Sequence, residues 1–353
     1  MKKRISIILI LICNFLMIYN DIMPRIITVK ASNSSEIVME INSNRVVHAI
    51  NENDKKFMAS TTKILTAICI IENCDLDKVI EIKKETTGVE GSSIYLESGE
   101  KLSVKDLLYG LMLRSGNDCA LTLAVHCSGS ASNFANLMNK TALKIGANNS
   151  NFVNPHGLHD DNHYTTAYDL ALISCYAMKN ETFREIVSTK TIDIPFTTRN
   201  YNRRLVNKNK MLKEFEGSTG IKTGFTKKAG RCLVSSCKRN GIEFVCVVLN
   251  CPGMFERSKN LLTSAFSNYK NYKIINKDNL IFIDNKEKYP ACIKNDVILP
   301  LTENEKQNLV IEYEYYKNMK KPIKKDEEVG LIKIYCKKNL LFTEKIYTIL
   351  DIK

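Results

Sequence analysis

At 353 residues, 44 % of them hydrophobic, the chain exceeds what one small core holds and is too apolar to be a disordered polymer. A large domain with a smaller companion is expected. Fifty-one Lys and Arg against 38 Asp and Glu give a formal charge of +13; with no aromatic-interleaved basic motif this excludes nucleic acid as a partner and suits an anionic membrane or wall, or a plain solvated lysine-rich exterior.

The N-terminus, MKKRISIILILICNFLMIYNDIMPRIITVKA, has a basic start at Lys2, Lys3 and Arg4 and an apolar run from Ile5 to Ile18. Val29 and Ala31 then offer small residues placed for cleavage. Residues 1–31 are therefore expected to be a signal peptide, with an uncleaved anchor as the alternative; either puts the rest of the chain outside the cytoplasm. These residues hold five cations and one anion, leaving +9 on the remainder. Of twelve cysteines, eleven lie beyond Cys13, mostly in apolar runs such as TAICII and FVCVVL, with no CxxC pair. They are expected to be buried thiols rather than disulfides or metal ligands.

SEIVMEI and VVHAIN, joined by NSNR, predict a hairpin. Met58 to about Ile71 is apolar nearly all round and predicts a helix buried on every side. VKDLLYGLMLR and CALTLAV predict two more, with SGND between them. FANLMNKTALKIG sets Phe134, Leu137, Met138, Thr141 and Ile145 on one helix face. HYTTAYDLALISCYAM predicts a further helix, capped by Thr165 or Thr166. After Gly217 the period becomes two: GIKTGFT is a strand, and RCLVSSCKR and IEFVCVVLN form a hairpin turned at Asn240–Gly241. The helix ERSKNLLTSAFSNYK follows. Strands first and last with helices between predict an α+β domain over residues 32–272, an antiparallel sheet flanked by helices. NLIFID, NLVIEYEYY, VGLIKIYC and LLFTEKIYTIL predict a small all-β domain over 273–353, with no amphipathic helix after its last strand.

The pattern Ser-x-x-Lys occurs four times, at Ser60/Lys63, Ser98/Lys101, Ser235/Lys238 and Ser267/Lys270. Positions i and i+3 share a helix face but oppose each other on a strand, which removes Ser235/Lys238. Ser98 sits in the turn-like ESGEK, and Lys270 ends a helix, where a cation is expected anyway. Only Ser60 and Lys63 open a buried helix. There amide dipoles favour developing negative charge and apolar walls lower an amine pKa enough to make it a base; a simple helix cap is the alternative. Ser115-Gly116-Asn117 falls between two helices, either as a linking turn or with a hydroxyl and an amide facing a cleft. Lys222-Thr223-Gly224 lies on a short strand. A cation, a hydroxyl and a glycine there suit a carboxylate and a closely approaching backbone, or else mark an edge strand with a bulge. His156, His159 and His163 do not match HExxH, and Pro155 and Gly157 oppose a helix, so hydrogen-bonded loop histidines are expected rather than metal ligands. Asn154, His156 and Gly157 are expected to shape the loop beside the cleft.

In order along the chain, Ser60-Thr61-Thr62-Lys63, Ser115-Gly116-Asn117 and Lys222-Thr223-Gly224 resemble the three motifs of penicillin-recognising serine enzymes. The longer words MASTTKILTA, RSGNDCALTLA, FVNPHGLHDDNHYTTAYDLALI and GIKTGFTKKAGRCLVSS resemble the low-molecular-weight D-alanyl-D-alanine carboxypeptidases over roughly Ser35 to Tyr269. The trailing β domain is also similar to that family's C-terminal domain. The resemblance implies a β-lactamase/transpeptidase-like fold and an acyl-enzyme route. Ser60 would attack the carbonyl between the terminal D-alanines of a peptidoglycan stem peptide, and Lys63, held neutral, would take its proton. Ser115 would relay a proton to the departing D-alanine, with Asn117 bonding Lys63 or the substrate amide. Lys222 and Thr223 would hold the terminal carboxylate beside Gly224, and the N–H groups of Ser60 and Phe225 would form the oxyanion hole. β-Lactams would acylate the same serine, and no metal or organic cofactor is implied. The family's additional arginine finds its nearest match in Arg257. Cys119 stands where a small apolar residue is usual. The family's membrane-binding tail helix has no counterpart, which leaves surface attachment open.

Neighbouring readings differ in particular features. A β-lactamase would need a glutamate-based ExxLN element, and NNSNFVNPHGL contains no glutamate. A transpeptidase shares the chemistry but is expected to carry a long N-terminal module. A β-lactam sensor or wall-binding protein would acylate without turnover.

Overall fold

The computed structural model describes residues 33–284, 288–316, 319 and 322–352. The expected signal peptide lies outside them. In chain order, β1 (Ser35–Glu40) and β2 (Val46–Ile50) precede a 3-10 turn, Ala59–Thr62, that runs into α1 (Lys63–Asn73). β3 (Val79–Glu81) and β4 (Lys101–Ser103) pair as a short ribbon ahead of α2 (Val104–Leu113), α3 (Asn117–Ser128), α4 (Ala131–Ile145), α5 (Ala167–Met178) and α6 (Glu181–Ser188). A second ribbon, β5 (Thr191–Ile194) with β6 (Arg203–Val206), and a single turn, α7 (Met211–Glu214), lead to β7 (Ser218–Thr226), β8 (Gly230–Arg239), β9 (Ile242–Leu249) and α8 (Met254–Asn268).

The main sheet is antiparallel with order β2-β1-β9-β8-β7, so its first and last segments meet where β1 pairs β9. Alternation along these strands decides what packs where. Ile37, Met39, Val245, Val247 and Leu249 face the helical side and join the core built on α1 to α6. Val38, Phe244, Cys246 and Val248 face the other side and pack on Leu261, Leu262 and Ala265 of α8. Every residue of β9 is buried, as a strand covered on both faces requires. α1 lies in the middle of the helical layer and buries eight consecutive residues, Lys63 to Ile70. At roughly 1.5–3 kcal/mol per large apolar side chain, this helix anchors the layer. The eleven described cysteines are unpaired thiols, most of them buried.

Beyond α8, β10 (Lys270–Ile275) pairs β13 (Val297–Leu301). A five-stranded sheet has the order β11 (Ile281–Asp284), β12 (Lys288–Cys292), β16 (Asn339–Thr348), β15 (Glu328–Cys336), β14 (Leu309–Tyr315). Its core is its own: Ile275, Leu299, Val329, Ile332, Ile334 and Ile346. One helical turn, α9 (Glu303–Gln307), interrupts the strands behind a capping box of Thr302 and Glu305. Arg45, in the β1–β2 turn, stacks over Tyr269 and donates to the Pro300 carbonyl and the Glu305 carboxylate, tying the two cores together. Among the described residues no helix is long and apolar enough to cross a membrane.

Several elements differ from expectation. The helix predicted from Met58 begins as α-helix only at Lys63, because Ala59 adopts a left-handed φ of 49° and the Thr61 and Thr62 hydroxyls donate back to the Met58 and Ala59 carbonyls. Of the two possible caps for α5, Thr166 accepts from the Asp169 N–H, while Thr165 pairs through its backbone with Lys56. α6 was not anticipated. Its Asn180 cap and its buried Phe183, Ile186 and Val187 carry the helical spacing in a short, otherwise polar stretch.

A buried ion pair tests how the ribbons hold the helical layer. Arg203 of β6 donates to both oxygens of Glu100 at 2.7 and 3.1 Å, and Glu100 is fully buried. Arg203→Met is expected to lower the unfolding free energy by about 3–5 kcal/mol in urea titration, because it strands a buried carboxylate. Adding Glu100→Leu is expected to recover more than half of that loss.

Candidate active site

The 3-10 turn presents Ser60, half-buried, at the mouth of α1. A loop holds this turn from behind. The Val153 N–H donates to His163 Nδ1, so the ring proton sits on Nε2 and points at Thr62 Oγ1, 2.8 Å away; Thr62 in turn donates to the Ala59 carbonyl. Burial, the leading cause, lowers His163 to about 4, so this neutral arrangement persists at neutral pH. Gly157 lies so close that a Cβ there would sit 2.0 Å from the Ala59 oxygen, and its φ is +84°. Asn154 Oδ1 accepts from the His156 and Gly157 N–H groups and fixes the loop. His159 lies 3.3 Å from Asp161.

Lys63 is fully buried. Its Nζ donates to Asn117 Oδ1 at 2.7 Å and to the His156 carbonyl at 2.5 Å, and stands 3.2 Å from Ser60 Oγ. The first two neighbours can only accept, since Asn117 Nδ2 is committed to the Glu90 carbonyl. A neutral amine has two N–H bonds and one lone pair, so with both N–H bonds used its lone pair is left for the Ser60 hydroxyl proton. Burial, followed by the nearby charge of Lys222, pushes the Lys63 pKa well below that of an ordinary lysine; the more distant Asp118 opposes this. Asp118 is buried too, and accepts from the Ile94 and Leu96 N–H groups and from Ser93, which pins the 92–96 segment to α3.

Ser115 occupies the bend between α2 and α3 with a left-handed φ of 66°. Its buried Oγ has no hydrogen-bond partner, a hydroxyl free to exchange protons with a bound molecule. Lys222 on β7 is 1 % exposed and donates to the Thr223 carbonyl. Burial, then the charge of Lys208, brings it down to about 7. β7 is the edge strand of its sheet and is laid against the Ser60 turn. A Cβ on Gly224 would lie 3.1 Å from the Ser60 and Thr61 nitrogens, so a side chain there would push the strand and the turn apart by a few tenths of an ångström. Phe225 follows, exposed, with Arg231 of β8 at 5.7 Å from its ring.

Ser60, Ser115, Thr223, Gly224 and Phe225 line one solvent-open cleft of about 280 Å³. Lys63 and Asn117 lie directly beneath Ser60, and Lys222 is buried behind the strand. Sequence reasoning missed Ser92, Lys208, Arg231, Met254 and Phe255 on the same walls. They come from turns and element ends without periodicity. Arg257, by contrast, is bound at 2.6 Å to Glu36 of β1. Despite burial, His48 at 3.7 Å and hydrogen bonds from Arg257 and Ser34 hold Glu36 down to about 2.

A serine hydroxyl against a buried amine, a second unpartnered hydroxyl and an edge strand bearing Lys-Thr-Gly make a serine acyl-transfer site. Residues 24–253 match the model of the D-alanyl-D-alanine carboxypeptidase family, and residues 269–353 that of the penicillin-binding protein 5 C-terminal domain. The chain is 30 % identical over 314 residues to D-alanyl-D-alanine carboxypeptidase DacF of Bacillus subtilis, covering 84 % of this chain and 80 % of that one. It is 29 % identical to DacA of Haemophilus influenzae over 84 % of this chain and 79 % of that one. Among solved structures, penicillin binding protein 5 from Haemophilus influenzae superposes with a TM-score of 0.76 at 27 % identity, covering 90 % of this chain and 96 % of that one. The chain belongs to the D-alanyl-D-alanine carboxypeptidase family and is a serine-type carboxypeptidase.

Gly157→Ala tests the support behind Ser60. It is expected to cost at least about 1–3 kcal/mol in urea unfolding and to slow covalent labelling by fluorescent penicillin, because the Ala59–Ser60 turn must shift. Gly88→Ala, at a similar φ but with open space around it, is expected to leave labelling unchanged.

Proposed function

We propose that Ser60 is the nucleophile and Lys63 its general base in the removal of the terminal D-alanine from peptidoglycan stem pentapeptides. The observation that carries this reading is the fully buried Lys63 amine at 3.2 Å from Ser60 Oγ, with its other two neighbours able only to accept. Ser60 Oγ bonds to the carbonyl between the two D-alanines, and its proton passes to Lys63. As the C–N bond breaks, Ser115 gives its hydroxyl proton to the departing D-alanine nitrogen and takes one back from protonated Lys63, which is neutral again. Asn117 holds Lys63 through its Oδ1, its Nδ2 being committed to the Glu90 carbonyl. Thr223 receives the terminal carboxylate, with the Lys222 charge buried behind the strand, and Gly224 allows the peptide to lie along β7. The N–H groups of Ser60 and Phe225 stabilise the oxyanion, a contribution of about 3–4 kcal/mol per donor in comparable sites. Water attacks the acyl-enzyme while neutral Lys63 takes its proton; the Ser60 Oγ–acyl bond breaks, and Lys63 returns the proton to Ser60 Oγ.

β-Lactams enter the same cleft and acylate Ser60. Residues 32–272 form the catalytic domain and 273–353 the β domain. Residues 1–31 direct export, so the enzyme works outside the cytoplasm at the cell envelope, where the net +9 of the remaining chain favours peripheral contact with anionic wall or membrane.

Wild-type protein is expected to release free D-alanine catalytically from a synthetic pentapeptide, and Ser60→Ala to release none. One equivalent followed by arrest would instead indicate a penicillin sensor, and equal release by both would remove Ser60 from the mechanism. Lys63→Ala is expected to slow penicillin acylation at least a hundredfold, about 3 kcal/mol of barrier, with unchanged circular dichroism.

The charge of Lys222 helps keep Lys63 unprotonated. Activity is therefore expected to fall on the acid side as Lys63 protonates. Lys222→Met is expected to shift that acid limb of the acylation profile to higher pH, since the like charge is gone.

A further inference from the structure

We propose that Arg231 is the fixed cation that binds the substrate's terminal carboxylate and so makes the enzyme select a free C-terminal acid. This deepens the carboxypeptidase reading and rests on it. A carboxylate bound beside Thr223 needs a cation that is exposed, uncommitted and charged whatever the pH. The cations near the cleft differ on these counts.

Lys222 projects from the face of β7 opposite Thr223, is 1 % exposed, and loses its proton near pH 7. Lys208 lines the cleft but donates to Ser92 Oγ at 3.2 Å, and burial lowers its pKa as well. Arg257 is held by Glu36 through two nitrogens at 2.9 and 2.6 Å. Arg231 alone of these is exposed, lines the cleft and has no acidic partner among the described residues. A guanidinium is also a permanent cation whose fork matches a carboxylate.

The register sets its reach. Phe225 lies opposite Arg231 and Thr223 opposite Leu233, so Thr223, Phe225 and Arg231 share one face of the β7–β8 pair. Arg231 is the diagonal neighbour of Thr223, about 7–8 Å away at the strand, a gap an arginine side chain spans toward a bound anion. The backbone beneath it is fixed, because the Cys251 N–H donates to the Arg231 carbonyl and Gly230 packs against Asn250. Phe225, Met254 and Phe255 line the same cleft. Among the described residues no Asp or Glu lines the cleft, so a carboxylate meets no like charge from them on entering.

The test compares two acyl-D-Ala-D-Ala peptides, one with a free C-terminal carboxylate and one with a C-terminal amide, as competitors of fluorescent-penicillin labelling. This reads binding whether or not the peptide turns over. In the wild type the acid is expected to bind about tenfold or more tighter than the amide. A preference of about tenfold should persist well above the Lys222 value of about 7, where only Arg231 remains charged. Arg231→Gln is expected to weaken the acid by about tenfold or more, leave the amide unchanged and make the remaining preference fade as pH rises through 7. Arg231→Lys is expected to retain a partial preference and also shows whether the position tolerates substitution. An unchanged acid-to-amide ratio in Arg231→Gln, or equal weakening of both peptides, would overturn the assignment and leave Arg231 as a packing partner of Phe225. Failure of the wild type to release D-alanine would count against the carboxypeptidase reading instead, without altering the ratio.

Discussion

A lysine amine sealed from water beside a serine hydroxyl is the constraint around which this molecule is organised. Burial favours the uncharged form, and the two obligate acceptors at Nζ use its two N–H bonds, so the lone pair is aimed where a proton must go. An exposed lysine at the same distance would be a cation and no base. The helical layer supplies that seal. α1 is buried along most of its length, and Lys63 is its first residue, so the amine lies at the end of an apolar helix with only Ser60 between it and the cleft.

The remaining parts of the site hold the reactants against that amine. The left-handed Ala59 and the two threonine hydroxyls turn the chain so that Ser60 leaves the helix axis and faces the cleft. The His163–Thr62–Ala59 chain and the close approach of Gly157 brace the turn from behind. On the other side Gly224 lets the edge of the sheet lie against the Ser60 and Thr61 nitrogens. Both contacts depend on the absence of a side chain, which explains why glycines rather than large residues decide the width of the cleft. Across the cleft the cations differ in kind, with buried lysines of lowered pKa inside and an exposed arginine at the rim.

Much of this was legible in the chain. The i, i+3 spacing on a buried helix singled out Ser60 and Lys63 among four equivalent patterns, and the alternating strands after Gly217 gave the sheet edge that carries Lys222 to Phe225. Helix existence was read more reliably than helix starts: local threonine hydrogen bonds delayed α1 to Lys63. The cleft walls were not legible, because Ser92, Lys208, Arg231 and Met254 are far apart in sequence and meet only through sheet register and helix packing. Arg257 shows the converse. Its place in the chain suggested the site, but Glu36 on β1, over two hundred residues earlier, binds it instead. Asp118 adjoins the Ser115–Asn117 motif, yet its role in pinning the 92–96 segment depends on two backbone amides, of Ile94 and Leu96, that no local pattern reveals.

The protonation state of one nitrogen carries the whole mechanism, and it is directly measurable. In protein labelled with ¹³C at the lysine ε carbon, the resonance that disappears in Lys63→Met reports whether that amine holds a third proton. A signal already at the free-amine position at neutral pH, while the surface lysines remain ammonium, is the predicted result. A Lys63 that titrates together with the surface lysines would contradict it, since a permanently charged side chain has no lone pair to offer the serine.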